Sequence, residues 1–224
     1  PAAMRGVEAC GTVDPVRDRF QLCAEGVDGP TDRSYWVVEG RFAAGAYPSK
    51  PGYTGSGPIP EPLEQLLNAG IDVFINLTQD YPGGTDEHLT RYDPGAEGRA
   101  EIVRYPIADE ELPEGGASEM ATILDRIDTA LDDGQNVYVH CWGGSGRTGA
   151  VVGCWLLRRG LIDADSVLDR MQELRLGDRE GGFKSTPNTF EQAEFIVGWS
   201  ECELACVDDA TLERAVGAVL GSAT

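Results

Sequence analysis

Val137-Tyr138-Val139-His140-Cys141-Trp142-Gly143-Gly144-Ser145-Gly146-Arg147-Thr148-Gly149 is the segment whose reading decides the fold. Its first four residues have the apolar or alternating character of a buried strand, and the glycines after them forbid a regular element. Thr148 to Arg159 then reads as a nearly all-apolar helix closed by Gly160. A tight loop between a strand and a buried helix aims successive backbone N–H groups at one point, with the positive end of the helix behind them, and so holds an anion. Arg147 adds a planar fork that matches two oxygens of a phosphate. Cys141 lies in the same field, which should pull its thiol pKa well below the roughly 8.5 of a free cysteine. The expected product is a phosphate cradle made by Trp142, Gly143, Gly144, Ser145, Gly146 and Arg147, with a thiolate at its floor. His140 and Thr148 flank it as polar groups that orient the loop and donate to the sulfur.

Working outward, the 224 residues suit one α/β domain with some extension. No run approaches the length of a membrane span, and the opening Pro1-Ala2-Ala3-Met4-Arg5 lacks the pattern of a secretory signal, so a cytoplasmic protein is expected. Thirty-eight acidic against 18 basic residues give a net charge of −20, and only Lys50 and Lys184 are lysines. Such a surface repels nucleic acid and anionic membranes, which excludes both as expected partners. The six cysteines are irregularly spaced in a chain too long to need stapling, so disulfides are not expected. Cys202 and Cys206 are one helical turn apart, but with only two histidines in the chain ordinary packing is the reading, and no metal is expected.

The first thirty or so residues, with Cys10 and Cys23, read as an irregular lead over 1–33. Tyr35 to Ala46 then predicts a β-hairpin at a sheet edge, turning at Glu39-Gly40. Pro48 to Pro60 reads as loop, Glu61 to Asn68 as a helix with Pro62 in its first turn, and Ile71 to Leu77 as a strand inside a parallel sheet. Gln79 to Gly98 is polar, and a surface loop with a short helix around Asp86 to Arg91 and a solvated His88 is expected. Glu101 to Ile107 is the next strand. Gly115 to Asp132 spaces Met120, Ile123, Leu124, Ile127 and Leu131 as one helical face, and a further helix capped by Asp163 or Asp165 runs to Leu174. Strand and helix thus alternate, which predicts an α/β fold: a central, mostly parallel sheet flanked by helices, in a domain over 34–203. Residues 204–224 read as a last helix, a linker or the start of another domain.

The chemistry of the cradle needs an acid. When a thiolate attacks phosphorus the leaving oxygen must be protonated, and a carboxyl group on a closing loop supplies the proton. Composition leaves Asp109, Glu110, Glu111 and Glu114 as candidates. Arg175, Arg179 and Lys184, in the glycine-rich stretch 175–188, are either substrate-steering groups or part of an exposed loop. Cys154 is read as packing, with reversible disulfide formation with Cys141 as the alternative.

The run His140-Cys141, five residues, Arg147-Thr148 resembles the signature of cysteine-dependent protein tyrosine and dual-specificity phosphatases. Pro106-Ile107-Ala108-Asp109 with Pro113, and the loop Trp142-Gly143-Gly144-Ser145-Gly146, are similar to the cyclin-dependent-kinase-associated phosphatase group. The resemblance spans roughly Tyr35 to Trp199 and implies a phosphomonoester hydrolase working through a phosphocysteine, without metal or cofactor, on a phosphorylated protein. A small phosphoester such as an inositol phosphate or nucleotide, or phosphate recognition without turnover, is the alternative. It further implies that Asp109 is the general acid and that Gln192, in the turn before a helix through Trp199, positions the hydrolytic water. Leu212 to Gly221 is similar to the opening helix of ADP-ribosylglycohydrolases, whose acidic metal ligands are absent here.

Overall fold

The computed structural model describes residues 20–49 and 59–199. Five strands form one sheet: β1 (Ser34–Val38), β2 (Phe42–Gly45), β3 (Val73–Asn76), β4 (Glu101–Arg104) and β5 (Val137–His140). They lie in the order β1-β2-β5-β3-β4. β1 pairs antiparallel with β2, while β2, β5, β3 and β4 are all mutually parallel. The expected hairpin is therefore present, but only β1 is an edge and β2 lies inside the sheet. β5 has a parallel neighbour on each side and is wholly buried, as its apolar sequence requires.

The helices are α1 (Glu61–Asn68), α2 (Asp93–Ala96), α3 (Gly116–Asp132), α4 (Arg147–Arg158), α5 (Val167–Arg175) and α6 (Phe190–Val197). Strand residues alternate between two cores. Val137 and Val139 join the larger one, with the apolar faces of α3, α4, α5 and α6. Tyr138 points the other way, into a smaller core with Phe74, Leu63 and Leu66 of α1, and Tyr92. The helix expected after the cradle is buried from Arg147 to Leu156, as an apolar circumference demands. Trp155 is its largest anchor: Phe42 meets the ring edge-on at 4.9 Å, and the indole N–H donates to Asp128 Oδ1 at 2.8 Å. Gly153 lets neighbouring helices approach, because a Cβ there would stand 2.7 Å from both Ile196 and Met171.

Some expectations shift. The short helix placed at 86–91 is a series of turns, and the helical turn forms at Asp93–Ala96 instead, where Pro94 pre-sets its start. α5 begins at Val167 after Ser166 with no side-chain cap, so neither Asp163 nor Asp165 caps it; the Asp163 carbonyl accepts from Ser166 N at 3.0 Å instead. β3 and β4 are shorter than the apolar runs that announced them. Phe20 and Cys23 of the irregular lead pack in the larger core. Cys10, Cys202, Cys206, most of the 48–60 loop and the last helix with its glycohydrolase-like stretch lie outside the described residues. Cys23 and Cys141 are free thiols. No described helix is long and apolar enough to cross a membrane.

Candidate active site

β5 ends at His140, and the chain turns at once into the loop 141–146 that leads to α4. The loop's carbonyls decide what its amides do. Trp142 O accepts from Tyr47 N at 3.2 Å, Gly143 O from Arg33 Nη2 at 3.3 Å, Gly144 O from Arg175 Nη1, and Ser145 O from Thr186 Oγ1 at 2.9 Å. All four are held by donors outside the loop. Because a trans peptide sends its C=O and N–H in opposite directions, the amides of Gly143 to Gly146 are turned toward the enclosed side. One of them, Gly144 N, donates to Cys141 Sγ at 3.3 Å. Gly144 has a φ of +75°, and a Cβ on it would strike the backbone of Gly45 at 2.3 Å, so only glycine lets the loop rest on β2.

Arg147 closes the ring and is itself fixed. Nη1 donates to Asp86 Oδ2 at 2.7 Å and to Ile107 O at 2.9 Å; Nη2 donates to Asp86 Oδ1 at 3.1 Å and to Asp109 Oδ1 at 2.7 Å. Nε donates to no described residue. Asp86 and Arg147 are a buried, two-pronged pair, with side chains 2 % and 1 % exposed, whereas the Asp109 side chain is 47 % exposed. Burial alone would raise the Asp86 pKa, but the bonds and charge of Arg147, with the Gln79 amide and Thr85 hydroxyl, shift it downward. Asp86 thus stays ionised and orients the guanidinium. Sequence reading missed it. It sits in a polar stretch taken as solvated, and its partner is 61 residues away.

The sulfur feels two opposed effects. Burial works against its ionisation, but the Arg147 charge, the Thr148 hydroxyl and amide and the Gly144 amide outweigh it, and the thiol pKa is lowered. Thr148 Oγ1 is buried without a short hydrogen bond to any group, which leaves it free to turn to the sulfur. His140 sits behind the loop and does not face the cavity. Its ring stacks on Tyr138 at 5.6 Å, accepts from Tyr92 Oη at Nε2 over 2.7 Å, and reaches Cys141 O from Nδ1 at 3.4 Å. A carbonyl only accepts, so Nδ1 carries the proton. Burial keeps the ring neutral and depresses its pKa from 6.5 to about 3.

Cys141, Trp142, Gly143, Ser145, Gly146 and Arg147 line a cavity of about 180 Å³ together with Arg33, Asp109, Glu110, Lys184 and Asn188. Asp109 is therefore brought to the mouth of the cradle, and Thr85 Oγ1 accepts from its amide at 3.0 Å. Trp142, 40 % exposed, stands at the rim with His88 beside it at 6.1 Å. Gln192 is also brought in, fully buried, with its amide bonded to the loop that follows Asp109. The basic residues of 175–188 divide. Arg175 is buried beneath the loop, Arg179 pairs with Asp28 and Asp32 away from the cavity, and only Lys184 reaches it. Arg33 was not singled out by its sequence. Cys154 is fully buried within α4, among the packing residues of the core. No cluster of metal-binding side chains occurs among the described residues.

Residues 49–161 match the family described as "Polymorphic toxin system, DSP-PTPase phosphatase", half of the chain and all of the cradle and acid loop. The chain belongs to this family. A protein of Invertebrate iridescent virus 6, named 197R and called a tyrosine phosphatase, is 28 % identical over 158 residues, covering 70 % of this chain and 53 % of the viral one. The chain spans about half the length of the curated relatives it matches. Among solved structures, kinase associated phosphatase superposes with a TM-score of 0.57 at 20 % identity, covering 74 % of this chain and 88 % of that one. TpbA of P. aeruginosa, solved in complex with pTyr, gives 0.57 at 14 % identity, covering 81 % and 93 %. These superpositions establish the α/β fold of the tyrosine and dual-specificity phosphatases, with kinase associated phosphatase among its neighbours.

Two measurements check this geometry. Asp86→Ala strands a buried guanidinium and should lower stability by about 3–5 kcal/mol in urea titration, whereas a loss under about 1 kcal/mol would mean that Cys141 and Asp109 neutralise Arg147 unaided. His140 takes up a proton on unfolding between its folded value of about 3 and its unfolded 6.5, so stability is fully present above pH 6.5 and falls as the pH drops. The perturbed carboxylates start from 4.5 or below, which leaves pH 4.5–6.5 to His140. In a Cys141→Ser background, which removes the thiol's own titration, stability should fall there by up to about 1.4 kcal/mol per pH unit. His140→Gln should flatten that slope; equal slopes would count against a neutral buried ring.

Proposed function

We propose that this chain is a phosphomonoester hydrolase of the protein tyrosine or dual-specificity type, acting through a phosphocysteine. The observation that carries the reading is a buried, readily ionised Cys141 beneath a loop four of whose carbonyls are held by donors outside it, with Arg147 beside it. Asp109 occupies Arg147 Nη2 while Nε is uncommitted, so an arriving phosphate takes the Nε and Nη2 edge as a two-pronged site and displaces the Asp109 carboxyl toward the leaving oxygen. Cys141 Sγ then attacks phosphorus in line, the loop amides and Arg147 hold the three equatorial oxygens, and Asp109 gives its proton to the departing alkoxide or phenoxide. In the second step water attacks the phosphocysteine, Asp109 accepts the water's proton, and phosphate leaves as the thiolate re-forms beside Thr148. His140 acts from behind, keeping the start of the loop in place through Tyr92 and the Cys141 carbonyl.

A phosphorylated protein is the favoured substrate. Trp142, partly exposed at the cavity, offers an aromatic face to a peptide around the phosphate, and TpbA binds phosphotyrosine on the same fold. Lys184, next to the cavity in an otherwise acidic chain, also fits the smaller polyanionic phosphoesters. A thiolate nucleophile calls for reducing surroundings, which supports the cytoplasm as the place of action.

Cys141→Ser should abolish hydrolysis of para-nitrophenyl phosphate while leaving inorganic phosphate able to protect the fold against heat. A wild-type protein that binds phosphate but never turns over would make the domain a recognition module. Asp109→Ala should slow turnover by about 10²-fold or more, most for leaving groups of high pKa; an unchanged rate would move the acid to a neighbour. The family description ties such domains to polymorphic toxin systems. If hydrolysis is what harms a cell, expression of the wild type should arrest growth and expression of Cys141→Ser should not.

A further inference from the structure

Gln192 is the third residue of α6, and its backbone and side chain complete a capping box: Gln192 N donates to Thr189 Oγ1 at 3.2 Å, and Gln192 Oε1 accepts from Asn188 N at 3.2 Å and Thr189 N at 3.4 Å. A capping box takes Glu as readily as Gln at this position, and the positive end of a helix favours the carboxylate. The cap therefore does not explain the amide. Its two remaining hydrogens do. Nε2 donates to Glu110 O and to Glu111 O, each at 3.2 Å, in the two residues directly after Asp109. With two donors and two acceptors engaged and no exposed surface, the side chain has no capacity left for a water molecule.

The loop it holds is unfavourable on its own. Glu110 has a φ of +66°, the left-handed region that non-glycine residues avoid, and it alone among the described non-glycine residues does so. The conformation closes a turn in which Glu111 N donates to Ala108 O at 3.1 Å, with Asp109 at the apex. Gln192 also lies beside the cradle: a Cβ on Gly146 would stand 3.2 Å from its Oε1. One buried amide thus joins the acid loop, the cap of α6 and the rim of the phosphate site. We propose that Gln192 is a positioning residue that latches the strained acid loop in register over the cradle, so that it acts through Asp109 and not by holding the hydrolytic water itself. This inference rests on the phosphatase reading above.

Gln192→Glu separates the two uses, since it keeps the acceptors of the cap and replaces the donors of the latch with oxygen that repels the Glu110 and Glu111 carbonyls. Across aryl phosphates of rising leaving-group pKa, the variant should lose about tenfold or more in kcat/KM for the poorest leaving groups and little for para-nitrophenyl phosphate. Amide hydrogens of residues 109–112 should exchange faster, while those of β5 and α4 should not. Gln192→Ala carries the same kinetic expectation should the glutamate unfold the loop. A kcat/KM unchanged for every leaving group, with a larger pre-steady-state burst, would assign Gln192 to the water and overturn the latch, as would unaltered kinetics. If the wild type hydrolyses none of these esters, the phosphatase reading falls; the exchange comparison then still decides whether the latch exists.

Discussion

A buried peptide unit offers its N–H to a ligand at least cost when its C=O finds a donor elsewhere, and the 141–146 loop meets that condition four times in succession. The donors come from the exit of β2 at Tyr47, the approach to β1 at Arg33, the end of α5 at Arg175 and the segment before α6 at Thr186. Strands, helices and connecting loops far apart in the chain thus converge on a few carbonyl oxygens. Left unpaired in this buried setting, each would cost about 1–3 kcal/mol. The sheet order serves the same end, because β5 between two parallel neighbours brings Cys141 out where β1, β2 and α5 can reach the loop behind it.

Charge at the site is arranged by depth. Asp86 and Arg147 are buried and fixed, Asp109 is half exposed and held at a single Nη2 contact, and the sulfur is reachable only through the cavity. The deep pair aims the guanidinium before any ligand arrives, while the shallow contact can be exchanged for a phosphate oxygen at modest cost. Asp178 repeats the theme behind the loop, where it meets Arg33 Nε at 3.2 Å and Arg175 at 3.5 Å, so the arginines that hold the Gly143 and Gly144 carbonyls are themselves partnered.

The cradle was legible because its parts are contiguous: strand, cysteine, glycines, arginine and apolar helix follow one another, and local geometry alone implies an anion site. The α/β architecture was legible for a related reason, since each apolar run has a period and a bounding glycine or proline. Asp86, Arg33 and Arg175 were not. Their importance arises from tertiary contacts across long stretches of chain, and in sequence each looks like one more charge in a polar segment. Gln192 fell between these cases. Its place in a helical first turn is plain from Thr189 and the apolar residues after it, but its burial and its bonds to Glu110 and Glu111 follow only from how the acid loop folds back.

All but two of the 18 basic residues are arginines, and every cation that supports the loop from within, Arg33, Arg147 and Arg175, is one of them. A guanidinium does not give up its proton in any solution a protein survives. The charge that grips the loop is for that reason invariant under acid or alkali. Whatever rhythm the molecule shows as its surroundings change is left to its other groups, on a scaffold of fixed charge.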